Sequence, residues 1–221
     1  MSEKRTTARA FHAAGDVDDW RVLFWGAYAY YRTASFADGA EFVGAISEVA
    51  EETKHYPDID LRPEGVTIRT FTEENGSLSE SDIVLAQRIS VVARERGLEP
   101  DPSQLQCVGI AVAQAADVDV RPFWAAAFGY KYLGDEDAID PNRRNSHLWF
   151  HELEPSKPGR GRVHIDVSVP ADQIEARVAA ALEAGGRVVN DSQAPRWWTL
   201  ASPDNHGVDI AAWPDSEDND E

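Results

Sequence analysis

Cysteine is nearly absent: Cys107 stands alone among 221 residues. A single thiol excludes an internal disulfide and a cysteine-rich zinc site. Positive charge is scarce. Lys and Arg number 21 against 39 Asp and Glu, for a formal net charge of −18. Such a surface repels phosphate backbones and anionic membranes. Neither nucleic acid nor membrane is therefore expected as a partner, and cationic ligands are favoured. No stretch approaches the roughly 20 apolar residues of a membrane span. The opening MSEKRTTARAFHAAGDVDDW has no apolar signal-peptide core, so a cytoplasmic protein is expected. Apolar residues, by contrast, are plentiful. Hydrophobic residues make up 43% of the chain, with seven Trp, which is enough for packed cores. At about 100–200 residues per domain, the length allows one large domain or two small ones.

The clearest break is Gly97–Gln104, GLEPDPSQ, with a helix-stopping glycine, two prolines and acidic residues. It sets expected domains of 1–99 and 105–214. The tail 215–221 is strongly acidic and carries no apolar residue, so it is expected to be disordered. In the first half, 5–14 reads as a helix, and 20–25 and 27–31 as strands. Ser35 caps a helix running to about Lys54, which Pro57 cannot extend. A strand is expected over 66–72. A second capped helix follows from Ser79, with Glu80 and Asp82 in its first turn. The order is α-β-β-α-β-α, an α+β layer.

The second half repeats. Strand 107–113, helix 120–128 and three short extended pieces to 150 are matched by strand 162–169 and helix 171–184. Three more extended pieces follow, 187–189, 197–201 and 208–213. Two βαβββ modules, each too small to bury its own sheet, are expected to pair into one curved sheet around a cavity.

Two groups of residues carry chemistry. Glu51 and His55 lie four apart at a helix end, where a carboxylate beside an imidazole suits general acid–base work. The plain alternative is a surface i,i+4 pair. In Arg162–Val169, alternation puts His164, Asp166 and Ser168 on one face and Val163, Ile165, Val167 and Val169 on the other. Asp209 belongs to the polar row of the last strand. His164 and Asp209 are therefore candidate ligands for a divalent metal. A metal-free pocket lined by Trp149, Trp197, Trp198 or Trp213 is the competing reading.

The run Glu51-x-x-x-His55-Tyr56-Pro57, then Val66-Thr67-Ile68 and Gly76-Ser77-Leu78-Ser79-Glu80-Ser81-Asp82, resembles the pterin-4a-carbinolamine dehydratase family over about 15–98. Phe36–Val43 is similar to that family's first long helix. The resemblance implies loss of water from a 4a-hydroxytetrahydropterin, with histidines as acid and base. Two of the family's usual histidine positions hold Tyr56 and Glu73 here. His55, Glu51, Tyr56 and Glu73 are the implied acid–base set, and Asp82 contacts substrate.

The duplicated βαβββ order, Arg121–Tyr130, Val163–Val167 and Ser202–Asp209 resemble the vicinal oxygen chelate superfamily, glyoxalase-like branch, over about 105–214. That resemblance implies metal ligands on the first and last strands of each module. The second module matches with His164 and Asp209. In the first module the positions fall near Cys107 and near His151 or Glu152. Trp149, Asp166 and Trp213 would line the ligand space.

Two functions stay open. One is a lyase-type enzyme, with a pterin as substrate or ligand and a divalent metal. The other is a small-molecule binding protein whose first domain makes a homodimer.

Overall fold

The computed structural model describes residues 5–72, 77–114, 119–152, 163–201 and 207–212. The expectations for Glu73, Trp213 and the tail 215–221 lie outside them. The chain divides into two units, the second being Gln106–Ala212. Among the described residues, no helix is long and apolar enough to cross a membrane.

In the first unit, β1 (Arg5–Thr6) leads into α1 (Ala8–Ala13), capped by the Thr7 side chain. β2 (Arg21–Leu23) and β3 (Gly26–Arg32) form a hairpin. α2 (Phe36–Thr53) starts at Ser35, whose hydroxyl accepts from the Asp38 amide at 3.1 Å. It ends where Lys54 turns left-handed, φ 56°. β4 (Asp58–Arg62), β5 (Gly65–Thr70) and β6 (Leu78–Ser79) precede α3 (Glu80–Glu95). The sheet order is β2-β3-β5-β4, all antiparallel, and β1 pairs separately with β6. Helix and sheet faces meet on Trp20, Tyr31, Phe42, Ile46, Ile68, Leu85 and Ile89, all fully buried.

β4 is absent from the expected α-β-β-α-β-α order. Asp58-Ile59-Asp60-Leu61-Arg62 offers just two apolar residues in alternation, and its charges face solvent at the sheet edge. That pattern protects an edge strand and hides it from a search for apolar runs. The segment after α3 is also more ordered than a linker. The Arg32 amide donates to Glu99 O at 3.0 Å, and the Asp101 amide to Tyr30 O at 2.9 Å. Leu105 is 2% exposed.

The second unit repeats strand–helix–three strands. The first module is β7 (Cys107–Gln114), α4 (Arg121–Phe128), β8 (Lys131–Leu133), β9 (Asp137–Ile139) and β10 (His147–Glu152). The second is β11 (Val163–Ser168), α5 (Ile174–Glu183), β12 (Arg187–Asn190), β13 (Trp197–Ala201) and β14 (Gly207–Ala211). They merge into one eight-stranded curved sheet, β12-β13-β14-β11-β7-β10-β9-β8, joined by the antiparallel β7–β11 seam. On one face, α5 packs with Val167, Leu200 and Ile210. Around Ala125 of α4, Val112, Leu148 and Phe150 form a second cluster. Val163 and Ile165 stay 44% and 38% exposed. The period-2 alternation leaves the opposite face to His164, Asp166 and Asp209.

Candidate functional sites

In the first unit, His55 does not pair with Glu51 as the helical spacing suggests. α2 stops at Thr53 and the left-handed Lys54 swings His55 off the helix. Glu51 is bound by Lys54 Nζ at 3.0 Å. His55 Nε2 lies 2.8 Å from Asp82 Oδ1 instead, with the imidazole 16% exposed and the carboxylate fully buried. Asp82 is therefore buried behind His55 rather than exposed as a substrate contact. It accepts from the hydroxyls of Thr70 and Thr72, the latter at 2.6 Å. The Ser79 amide (2.8 Å) and hydroxyl (3.1 Å) complete the shell and close a capping box. Burial alone pushes the Asp82 pKa up. The hydrogen bonds from His55, Thr70 and Thr72 outweigh it and hold the carboxyl below the usual carboxylate range. A carboxylate on one imidazole nitrogen fixes ring orientation and tautomer. Tyr56 is 60% exposed, on the surface.

In the second unit the expected convergence is present. His164 Nε2 lies 3.2 Å from Asp166 Oδ1 and 3.7 Å from Asp209 Oδ2. The strands dictate this: Asp166 and Asp209 are register partners on parallel β11 and β14, and His164 is two residues along the same face. Asp166 is fully buried, yet among the described residues its Oδ1 has no hydrogen bond; the 3.2 Å approach of His164 is an ion-pair contact. Its Oδ2 accepts from Trp149 Nε1.

One imidazole nitrogen and two carboxylates converge here on a single spot. Two donors held by one ion at about 2.1 Å are about 3.0–3.4 Å apart at octahedral or tetrahedral angles. The donors of His164, Asp166 and Asp209 all lie within 4.8 Å of one another, somewhat wider than that spacing but close enough for the three to converge on one divalent cation. Asp166, expected to line the ligand space, thus joins the donor set. His151, expected as a ligand, is outside that set. It stacks on Trp149 (centroids 4.8 Å, 29°) and meets His164 edge-on at 5.6 Å.

Two features escaped the sequence reading. His147, which reads as a loop histidine, is in β10 and 5% exposed. It lies over Gly109, where an added Cβ would sit 2.4 Å from its ring. The absent side chain was the available signal. Asp137 faces Trp149 across β9 and β10. Burial first, then Glu136, pushes its carboxyl up to about 7.

A helix-backed sheet with a His–Asp pair in one unit and a duplicated βαβββ sheet with a His–Asp–Asp cluster in the other define a two-domain α+β protein. Its parts are pterin dehydratase-like and glyoxalase-like. Comparison with known proteins gives the same division. Residues 2–92 match the family described as pterin 4 alpha carbinolamine dehydratase, and 109–211 match the glyoxalase-like domain. A Herpetosiphon aurantiacus protein named for pterin-4-alpha-carbinolamine dehydratase is 39% identical over 32% of this chain and 73% of its own. A Mycobacterium avium protein of the same name is 32% identical over 35% and 83%. A Brucella melitensis crystal structure titled transcriptional coactivator/pterin dehydratase is 20% identical. It covers 41% of this chain and 99% of that one, with TM-score 0.37. The chain belongs to the pterin-4-alpha-carbinolamine dehydratase family through its first unit and carries a glyoxalase-like domain in its second.

Proposed function

We propose that the protein is a two-site, lyase-type small-molecule enzyme. Its second unit holds a divalent cation through His164, Asp166 and Asp209. The observation that supports this most is the buried Asp166 Oδ1, without a hydrogen bond among the described residues and 3.2 Å from His164 Nε2. When bound, the cation supplies Lewis-acid polarisation of a ligand oxygen. The chain's own residues then orient and confine. Trp149 holds Asp166 through its indole N–H, and the Trp149–His151 stack forms a flat wall beside the cluster. One imidazole with two carboxylates is an oxygen-rich set, which suits Mn²⁺ or Mg²⁺ better than a thiolate-loving ion.

In the first unit, His55, oriented by Asp82, is the acid–base group for a pterin-type ligand. Each such group contributes typically ~10²–10⁴-fold. With Glu51 taken by Lys54 and Tyr56 on the surface, turnover of a 4a-hydroxytetrahydropterin is slow and depends on His55. Those two placements also favour a second reading: a binding protein, cytoplasmic and homodimeric, whose first unit serves assembly. Dehydratase assays on the full chain and on His55→Ala separate the two. A slow rate lost in the variant supports catalysis; equal rates, both at background, support binding alone.

A further inference from the structure

The two modules align by their first strands, Val108-Gly109-Ile110-Ala111-Val112-Ala113 against Val163-His164-Ile165-Asp166-Val167-Ser168. Gly109 is therefore the counterpart of His164. Ala111 is register partner of Trp149 on parallel β10, just as Asp166 is of Asp209 on parallel β14. Trp149 is therefore the counterpart of Asp209. Where the second module offers an imidazole and a carboxylate, the first offers a hydrogen atom and an indole. The space over Gly109 is filled by the His147 ring.

The first module nevertheless presents one group with unused capacity. His151 Nδ1 lies 2.9 Å from Glu152 O. A carbonyl oxygen can only accept, so Nδ1 carries the hydrogen. In neutral imidazole, Nε2 is then a bare acceptor. That Nε2 is buried and has no hydrogen-bond partner among the described residues. A buried acceptor left unmet is costly unless something occupies the position it faces. The stack on Trp149 and the edge contact with His164 hold this ring beside the cluster. The convergent donor set leaves His151 out, so it is not placed as a fourth ligand.

We propose that the cation site is one-sided: all three protein donors come from the second module. His151 of the first module accepts a hydrogen bond from the water or hydroxyl-bearing ligand on the ion's open side. This rests on the divalent-cation reading above, with His151 as a positioning residue. An ion of six-fold preference holding three protein donors keeps about three positions for water or ligand.

The test uses Mn²⁺ on the full-length protein, with free Mn²⁺ measured by electron paramagnetic resonance and bound waters counted by water-proton relaxation. The wild type should bind one ion with about three exchangeable waters. His151→Ala should weaken Mn²⁺ about 10–100-fold, the usual effect of losing an outer-sphere partner, with the water count unchanged. His151→Gln, whose amide oxygen accepts, should return affinity to within about threefold. If His151→Ala adds a water, His151 is a ligand and the proposal is overturned. If it leaves affinity unchanged while His164→Ala abolishes binding, the cation reading stands and the His151 role falls. If the wild type binds no Mn²⁺, the cation reading itself fails, and this inference with it.

Discussion

Asp82→Asn tests the first unit most sharply. It preserves shape, removes the charge, and replaces one acceptor oxygen by an NH₂ donor. Five groups donate to the native carboxylate: His55, Thr70, Thr72, and the Ser79 amide and hydroxyl. The hydroxyls can rotate, but the Ser79 amide cannot reverse. With the amide NH₂ turned toward it, that buried N–H loses its partner. Breaking a buried charged pair by removing one member costs about 3–5 kcal/mol. Against a typical total of about 5–15 kcal/mol this leaves the unit folded but weakened. At about 1–3 kcal/mol per molar urea, the midpoint should fall by roughly 2 M. The assay is urea unfolding at pH 7, followed by circular dichroism. The pH dependence has a definite sign. The folded pKa of Asp82 is lowered from 3.8, so the folded state binds its proton less readily than the unfolded one. Its contribution is present above the unfolded value and lost as pH falls through the lower folded value. The part of the gap between wild type and variant that comes from the Asp82 charge should close below about pH 4. A gap under about 1 kcal/mol at pH 7 refutes the claim that this network ties α3 to β5.

Three further outcomes follow from the second unit. Asp137, pushed up to about 7, keeps a proton that the unfolded chain has already lost, so its contribution disappears as pH rises from about 4 to 7. Asp137→Asn should remove that slope and stabilise the unit at pH 8 by on the order of 1–2 kcal/mol, read from thermal melts across pH. Gly109→Ala drives a methyl into the His147 ring and should cost about 1–3 kcal/mol; Gly109→Ala with His147→Ala should recover much of it. Trp149→Phe keeps an aromatic ring, though a smaller one, but loses the N–H on Asp166, and should weaken Mn²⁺ by about 10-fold in the same titration as wild type.

How much of this was legible depended on the range of the interaction. α2 and α3 announced themselves through Ser35 and Ser79, because caps and helical periods are local. The duplicated modules were legible from strand–helix–strand spacing. His164 and Asp209 were legible because strict alternation decides which face a residue takes. β4 was not, since an edge strand of alternating charge carries little apolar signal. The partner of His55 was also hidden. The i,i+4 rule presumes that the helix continues, whereas Lys54 ends it, and the true partner is 27 residues away. Asp166 changed role for a related reason. Its place in the polar row was visible, but its unbonded oxygen depends on where β14 and Trp149 lie.

The measurement that bears most directly on the central claim is anomalous diffraction from crystals of the full chain grown with Mn²⁺. The account predicts one peak, at about 2.0–2.2 Å from His164 Nε2 and from a carboxylate oxygen of both Asp166 and Asp209. No peak should remain in His164→Ala crystals. A cluster without density at saturating Mn²⁺, or a peak that persists unchanged in the variant, would contradict it.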